Sequence, residues 1–163
     1  MPELVKRQDN RRAFVETLNE LNDPNIVVVI PDVGFNYLDD PANKFRVLNL
    51  GVTEQSSTII AASLALSGLK VFYYTMINFA LFRNAEMVRN MLVCHKAPVT
   101  ILGVKGSSSY KFLGFSHNLL HDQEDLNFCR NIGLDYWMPR DEEQVKETVR
   151  TAYQSGKPNY IRL

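Results

Sequence analysis

The sequence predicts an α/β fold: a mostly parallel sheet with helices on both faces. Three observations carry this. The run Ile26-Val27-Val28-Val29-Ile30 is continuously β-branched, the mark of a strand buried on both faces. Strand-like runs alternate with helix-like segments along the chain, which implies parallel pairing through crossovers. The segment Gln55–Leu66 is built of Ser, Ala, Ile and Leu and is too apolar on most faces to be a surface helix.

The elements follow in order. Arg11 to Leu21 places Ala13, Phe14, Leu18 and Leu21 on one helical face, and Asn22-Asp23-Pro24-Asn25 stops it. Ile26–Ile30 is the first strand. Phe35 to Lys44, with Asp39-Asp40-Pro41, reads as a loop, and Phe45–Leu50 as a second short strand. The apolar helix Gln55–Leu66 leads to Gly68 and a third strand, Leu69–Tyr74. Asn78–Cys94 reads as one helix carrying Phe79, Phe82, Met87 and Met91. A fourth strand, Val99–Val104, precedes a Gly/Ser-rich loop, Lys105–Asn118. Then come a helix at Glu124–Ile132, a strand at Asp135–Met138, a helix at Glu142–Gln154 and a last strand at Asn159–Leu163. Ligands in such sheets bind at the carboxyl ends of the strands. That rim would contain Asp32, Glu54, Thr75 to Phe79 and the loop Lys105 to His117.

The 163 residues suit a single domain, residues 1–163, with no repeat and no low-complexity linker. Net charge is zero and there is no basic block, which argues against nucleic acid as a partner. No apolar run is long enough to span a membrane, so no membrane association is expected. The start, Met1-Pro2-Glu3-Leu4-Val5-Lys6-Arg7, has no apolar core for a signal peptide. Cys94 and Cys129 form no Cys-x-x-Cys, and two thiols suit a reducing cytoplasm. Cys94 stands beside His95, but no ligand spacing supports a metal site.

Glu54 is the chemically notable residue. It lies in Leu48-Asn49-Leu50-Gly51-Val52-Thr53-Glu54-Gln55, where a buried strand hands over to a helix. Either it is a solvated residue in the first helical turn, favoured by the helix dipole, or it is held in place for proton chemistry.

The chain resembles the pyrimidine-binding domain of transketolase-like, thiamine diphosphate-dependent enzymes from about Arg11 to Leu163. Gly51-Val52-Thr53-Glu54-Gln55 is similar to the family's Gly-Ile-x-Glu-Gln, and Ala61 to Gly68 to its small-residue helix and glycine turn. Thr75-Met76-Ile77-Asn78-Phe79, then Arg83 and Val88-Arg89, looks like Thr-Phe-Ala-x-Phe, Arg and Ile-Arg. Gly114-Phe115-Ser116-His117-Asn118 looks like Gly-x-Thr-His-Gln. Glu124-Asp125, Pro139-Arg140-Asp141 and Pro158 to Leu163 complete the series. Each piece alone is weak; their order and spacing together are specific.

The resemblance implies roles. Thiamine works by losing a thiazolium proton to its own aminopyrimidine in the imino form, which a carboxyl group on the opposite ring nitrogen favours. Glu54 matches the residue for this role and His117 the active-site histidine. A dry surround would raise the carboxyl pKa, whereas the helix N-terminus would lower it. Met76, Phe79, Phe82 and Arg83 match the cofactor-binding segment, although Phe79 and Phe82 also suit plain core positions. Arg11 matches a family arginine at the substrate.

Departures limit the carry-over. The sequence holds no Gly-Asp-Gly with a distant Asn, the family's magnesium and diphosphate site. A partner chain is therefore expected to supply the diphosphate half and its Mg2+ (or Ca2+), in an α2β2 heterotetramer, unless the sequence is an excised piece. Leu113 stands where transketolases place a hydroxyl-reading Asp, and Met138 where they place a phosphate-binding Arg. The expected function is that of the pyrimidine-binding subunit of a split transketolase-like carboligase working on a non-standard small-molecule substrate. The β-type half of a 2-oxo acid dehydrogenase, and a non-catalytic interaction module of the same fold, remain as alternatives.

Overall fold

The protein is described by a computed structural model that covers residues 9–106 and 108–163. The N-terminal stretch read above for a leader lies outside the described residues. The strands are β1 Ile26–Ile30, β2 Arg46–Asn49, β3 Lys70–Met76, β4 Val99–Val104, β5 Asp135–Trp137 and β6 Asn159–Arg162. They form one sheet in the order β2-β1-β3-β4-β6-β5, and every neighbouring pair is parallel. The helices are α1 Asn10–Leu21, α2 Phe35–Leu38, α3 Glu54–Leu66, α4 Ala85–Met87, α5 Glu124–Ile132 and α6 Glu142–Ser155.

The sheet is covered on both sides, as the β-branched run predicts. Successive side chains of a strand face opposite ways. On β3, Val71 and Tyr73 pack with Ala61, Ala62 and Ala65 of α3. Phe72 and Tyr74 pack with Phe14 and Leu18 of α1 and with Val145 and Val149 of α6. The Phe14 ring lies 5.7 Å from Phe72 and 6.0 Å from Tyr74, centroid to centroid. Each fully buried aromatic or Leu contributes about 1.5–3 kcal/mol through lost water contact. Asp9 caps α1 by accepting from the Arg11 and Arg12 backbone N–H groups, and Asp141 caps α6 through the Gln144 N–H.

Three stretches differ from expectation. Residues 35–44 contain the short helix α2, because Leu38 is drawn into the core against α1. Within the expected loop after β4, Ser108–Ser116 winds into tight three-residue turns, interrupted at Gly114, where φ is 65°. The expected continuous helix at 78–94 is instead three pieces. Two are wide, π-type turns at Asn78–Phe82 and Val88–Cys94, and α4 lies between them. The wide turns show in the bonds Arg83 N–H to Asn78 O (3.0 Å) and His95 N–H to Asn90 O (3.3 Å), which span five residues. Their cause is a partner distant in sequence: the Asn84 side chain, between the two turns, is buried and donates to Thr58 on α3 as well as to Ala80 O. A buried amide must keep its partners, so the helix winds around it.

At the β6 end, Asp125 is fully buried and accepts from Tyr160 Oη at 2.6 Å and Arg162 Nε at 3.0 Å. Burial and the Asp125 charge together push the Tyr160 hydroxyl well above its usual pKa. Cys129 is buried nearby, and burial with the same charge pushes its thiol up to about 12, whereas Cys94 is exposed. Gly103 leaves room for this cluster, since a Cβ there would sit 2.5 Å from a Tyr160 ring carbon.

Removing one partner of a buried pair strands the other charge, at a cost of about 3–5 kcal/mol. Asp125→Asn is therefore expected to lower unfolding free energy by about 3 kcal/mol. Urea denaturation of the purified chain checks this, and a loss under about 1 kcal/mol would contradict the role given to the network.

Candidate functional site

The strand order reverses between β1 and β3. From β1 the chain moves out to β2, then returns past β1 to β3. Such a switch point leaves a crevice at the carboxyl ends of the two strands. A cleft of about 350 Å³ lies there, with Arg11, Asp32, Asn36, Met76, Phe79 and His117 among its lining residues. Arg11, Met76, Phe79 and His117, four of the residues singled out from sequence, are thus brought together.

Each is held by its own element. Met76 ends β3, and Phe79 lies in the first wide turn after it. His117 meets the Phe79 ring edge-to-face at 4.9 Å, and its Nδ1 is 2.8 Å from Ser116 Oγ. The loop carrying His117 is clamped by the Asn78 amide, which donates to Phe115 O (2.9 Å) and Asn118 O (3.2 Å). Close approach of Gly106 also fixes this loop, because a Cβ there would lie 2.3 Å from His117 O. Asp32 adopts φ 59°, uncommon for a residue other than glycine. Its N–H donates to Asn49 Oδ1 at 3.1 Å, tying the ends of β1 and β2.

Glu54 sits at the N-terminus of α3 and is only 5% exposed. Arg83 Nη1 donates to Glu54 Oε1 at 2.6 Å, and the Arg83 guanidinium carbon lies 4.0 Å from the Phe79 ring centroid. His117, Phe79, Arg83 and Glu54 therefore form one continuous line of contacts. Of the two sequence readings of Glu54, the solvated one does not describe this buried carboxylate.

Other expected residues lie elsewhere. The Phe82 ring packs edge-to-face on Phe128 at 6.0 Å, beside the core under α5. Leu113 is exposed on the turns after β4, and Met138 is half-exposed after β5; neither lines the cleft. The Met138 sulfur accepts from Arg162 Nη1 at 3.2 Å. Sequence reading missed Asp9 and Tyr37. Asp9 accepts from the Tyr37 hydroxyl and from Arg11 Nε at 3.3 Å, and Arg11 stacks over the Tyr37 ring at 5.4 Å. The available signal was Tyr37 in a predicted loop that also carries Phe35 and Leu38, too apolar for a plain solvated loop. Among the described residues, no three His, Cys, Asp or Glu side chains converge as metal ligands, and no helix is long and apolar enough to cross a membrane.

Residues 6–163 match the family described as transketolase, pyrimidine binding domain. The chain belongs to this family. It is 34% identical over 158 residues to one of the subunits of the apulose-4-phosphate transketolase of Phocaeicola vulgatus, a match covering 94% of this chain and 50% of that protein. It is 31% identical over 159 residues to a putative transketolase C-terminal section of Methanocaldococcus jannaschii, covering 94% and 49%. Among solved structures, a split gene transketolase described as an inactive beta4 tetramer superposes with a TM-score of 0.80 at 31% identity, covering 94% of this chain and 50% of that one. The chain thus spans about half the length of these relatives. The transketolase family implies dependence on thiamine diphosphate.

Within this transketolase-type domain, Asp9 is the support of Arg11. Burial would raise the Asp9 pKa, but the Tyr37 hydrogen bond and the Arg11 charge outweigh it and hold the carboxyl below its usual range. A lowered folded-state pKa gives stability that is present above the unfolded value and is lost as pH falls through the folded one. Asp9→Asn is expected to cost about 1 kcal/mol at pH 7. The gap from wild type should close as pH drops below about 4. Thermal melts of both proteins from about pH 7 to about pH 2.5 span that window and check this. A gap that stays constant would remove the charge of Asp9 from the explanation.

Proposed function

We propose that this chain is the pyrimidine-binding subunit of a two-component, thiamine diphosphate-dependent transketolase-like enzyme, a carboligating transferase that moves a two-carbon unit. The buried carboxylate of Glu54, linked to the face of Phe79 through the Arg83 guanidinium, carries this reading. The cofactor's pyrimidine half needs a carboxyl group that can share a proton and an aromatic surface to lie against. Glu54 and Phe79 offer both within one line of contacts. The bound cofactor would supply the electron sink for breaking and making carbon–carbon bonds.

The chain's own groups take the remaining roles. Glu54 Oε1 or Oε2 holds a proton at the pyrimidine ring nitrogen. Met76 and Phe79 pack on the ring. His117, on the cleft wall, exchanges a proton with a substrate oxygen. Arg11, fixed by Asp9 and Tyr37, faces the anionic end of the substrate.

The partner would be a diphosphate-binding transketolase-like subunit carrying Mg2+ or Ca2+, in an α2β2 heterotetramer. Support comes from the surface of α3 and its lead-in, where Val52 is 66% exposed and Leu66 57%, with Ile59 and Ile60 also exposed. Clustered apolar exposure of this kind marks an interaction surface. The names of the relatives, one a transketolase subunit and the other a C-terminal section, fit the same division of labour. Two unpaired cysteines suit an enzyme of the reducing cytoplasm.

Leu113 and Met138 lie outside this chain's own cleft and would meet substrate only where the partner closes over them; there they would favour a donor or acceptor other than the standard ketose phosphates: a short 2-oxo acid, a deoxy sugar, or a sugar whose phosphate the partner holds. A buried hydroxyl facing an apolar side chain loses about 1–3 kcal/mol. The similarity to a protein named for apulose 4-phosphate is in keeping with a less common sugar phosphate.

Co-expression with a diphosphate-binding partner tests the whole reading. The chain alone should show no turnover and the complex should turn over. Glu54→Gln in the complex should slow the reaction by about 10²- to 10⁴-fold with the fold intact, since Gln keeps the shape but cannot share a proton. A Glu54→Gln complex at near wild-type rate would remove Glu54 from the mechanism. In a substrate screen, xylulose 5-phosphate and ribose 5-phosphate should be poor substrates; efficient use of both would overturn the roles given to Leu113 and Met138.

A further inference from the structure

The Arg83 guanidinium is a flat cation with N–H donors along its edge. It lies on the Phe79 ring, 4.0 Å from the centroid, and donates to Glu54 Oε1 at 2.6 Å. An aminopyrimidine is also flat and also carries N–H groups at its edge. Under the function proposed above, it would use the same two surfaces. We propose that Arg83 is a built-in competitor for the aminopyrimidine of thiamine diphosphate: its guanidinium fills the Phe79–Glu54 site in the cofactor-free chain and has to swing out when the cofactor binds. This rests on the assignment of Glu54 and Phe79 to the pyrimidine half.

Geometry and charge both favour the exchange. The Arg83 side chain is 45% exposed and the Glu54 side chain 5%. The cation can return to water, whereas the carboxylate cannot follow it. The backbone need not move: Arg83 N–H stays bonded to Asn78 O at 3.0 Å, and Arg83 O accepts from Gln55 Nε2 at 3.4 Å. A carboxylate buried without a partner is costly, so a cation covers Glu54 while no ring is present. The same cation, left in place, would occupy the Glu54 oxygen and the Phe79 face that the ring needs. Displacement therefore removes the one contact that works against the role of Glu54. A half-exposed ion pair with one cation–π contact is weak enough to yield, and it should reduce cofactor affinity by about 5- to 30-fold.

Calorimetric titration of the reconstituted complex with thiamine diphosphate and Mg2+ tests this, comparing wild type with Arg83→Leu, Arg83→Gln and Glu54→Gln. Both Arg83 variants should lower the Kd by about 5- to 30-fold, and Glu54→Gln should raise it. Arg83→Gln keeps a polar side chain at this half-exposed position, so it serves if the Leu variant folds poorly. If both Arg83 variants bind as wild type or more weakly while Glu54→Gln still weakens binding, Arg83 is not a competitor and the cofactor reading stands. If Glu54→Gln leaves the Kd unchanged, the assignment of Glu54 fails and the competitor role fails with it.

Discussion

Strand β3 carries the constraint on which the rest of the molecule hangs. It lies between β1 and β4 in a sheet covered by helices on both faces, so neither of its faces can be left polar. Val71 and Tyr73 serve one core while Phe72 and Tyr74 serve the other, and the strand thereby fixes α3 on one side and α1 with α6 on the opposite side. Its carboxyl end opens beside that of β1, where the chain leaves the two neighbouring strands in opposite directions and the covering helices cannot both follow. Met76, Phe79 and Arg83 are the next residues out. Their positions relative to Glu54 are thus a consequence of how β3 is buried.

The structure handles two buried carboxylates in different ways. Asp125 is enclosed by Tyr160 and Arg162, both themselves buried, and nothing in that cluster can leave without stranding a charge. Glu54 is also buried, but its cation reaches it from the half-exposed side. The first arrangement suits a brace between α5 and the last strand. The second leaves a carboxylate whose neighbour can be changed by what arrives from solvent. Burial alone does not separate a structural acid from a chemical one; the mobility of its counter-charge does.

Much of the scaffold was legible in the sequence because it follows from periodicity and caps. Ile26–Ile30 announces a strand with no wet face, and the Ala-rich stretch from Gln55 announces a helix lying on it. The motif around Glu54 and the cleft position of His117 were legible too, since they sit at strand ends where parallel sheets bind ligands. What escaped has a common cause: side chains paired across long separations. Asn84 breaks a regular helix by bonding to Thr58, and no local pattern records that partner. Arg83 reaches back 29 residues to Glu54, and Asp9 forward 28 residues to Tyr37. Leu113 and Met138 were placed by alignment to a motif, yet their side chains do not line this chain's own cleft, because turn geometry after β4 and β5 decides their direction.

The two wide turns around α4 have a bearing on how this segment can change length. A five-residue hydrogen-bonded loop is a four-residue loop with one residue inserted. The stretch from Asn78 to Cys94 therefore carries surplus chain that ordinary helical winding does not need. Losing one residue from Val88–Cys94 would tighten that turn while leaving β4 and Asn84 where they are. Losing one from Asn78–Phe82 would tighten that turn too, but it would change the spacing from Phe79 to Arg83 and so how the guanidinium meets the ring. The same small deletion is thus a neutral drift in one turn and a rebuilt ligand wall in the other, so related chains should vary in length after α4 far more freely than before it.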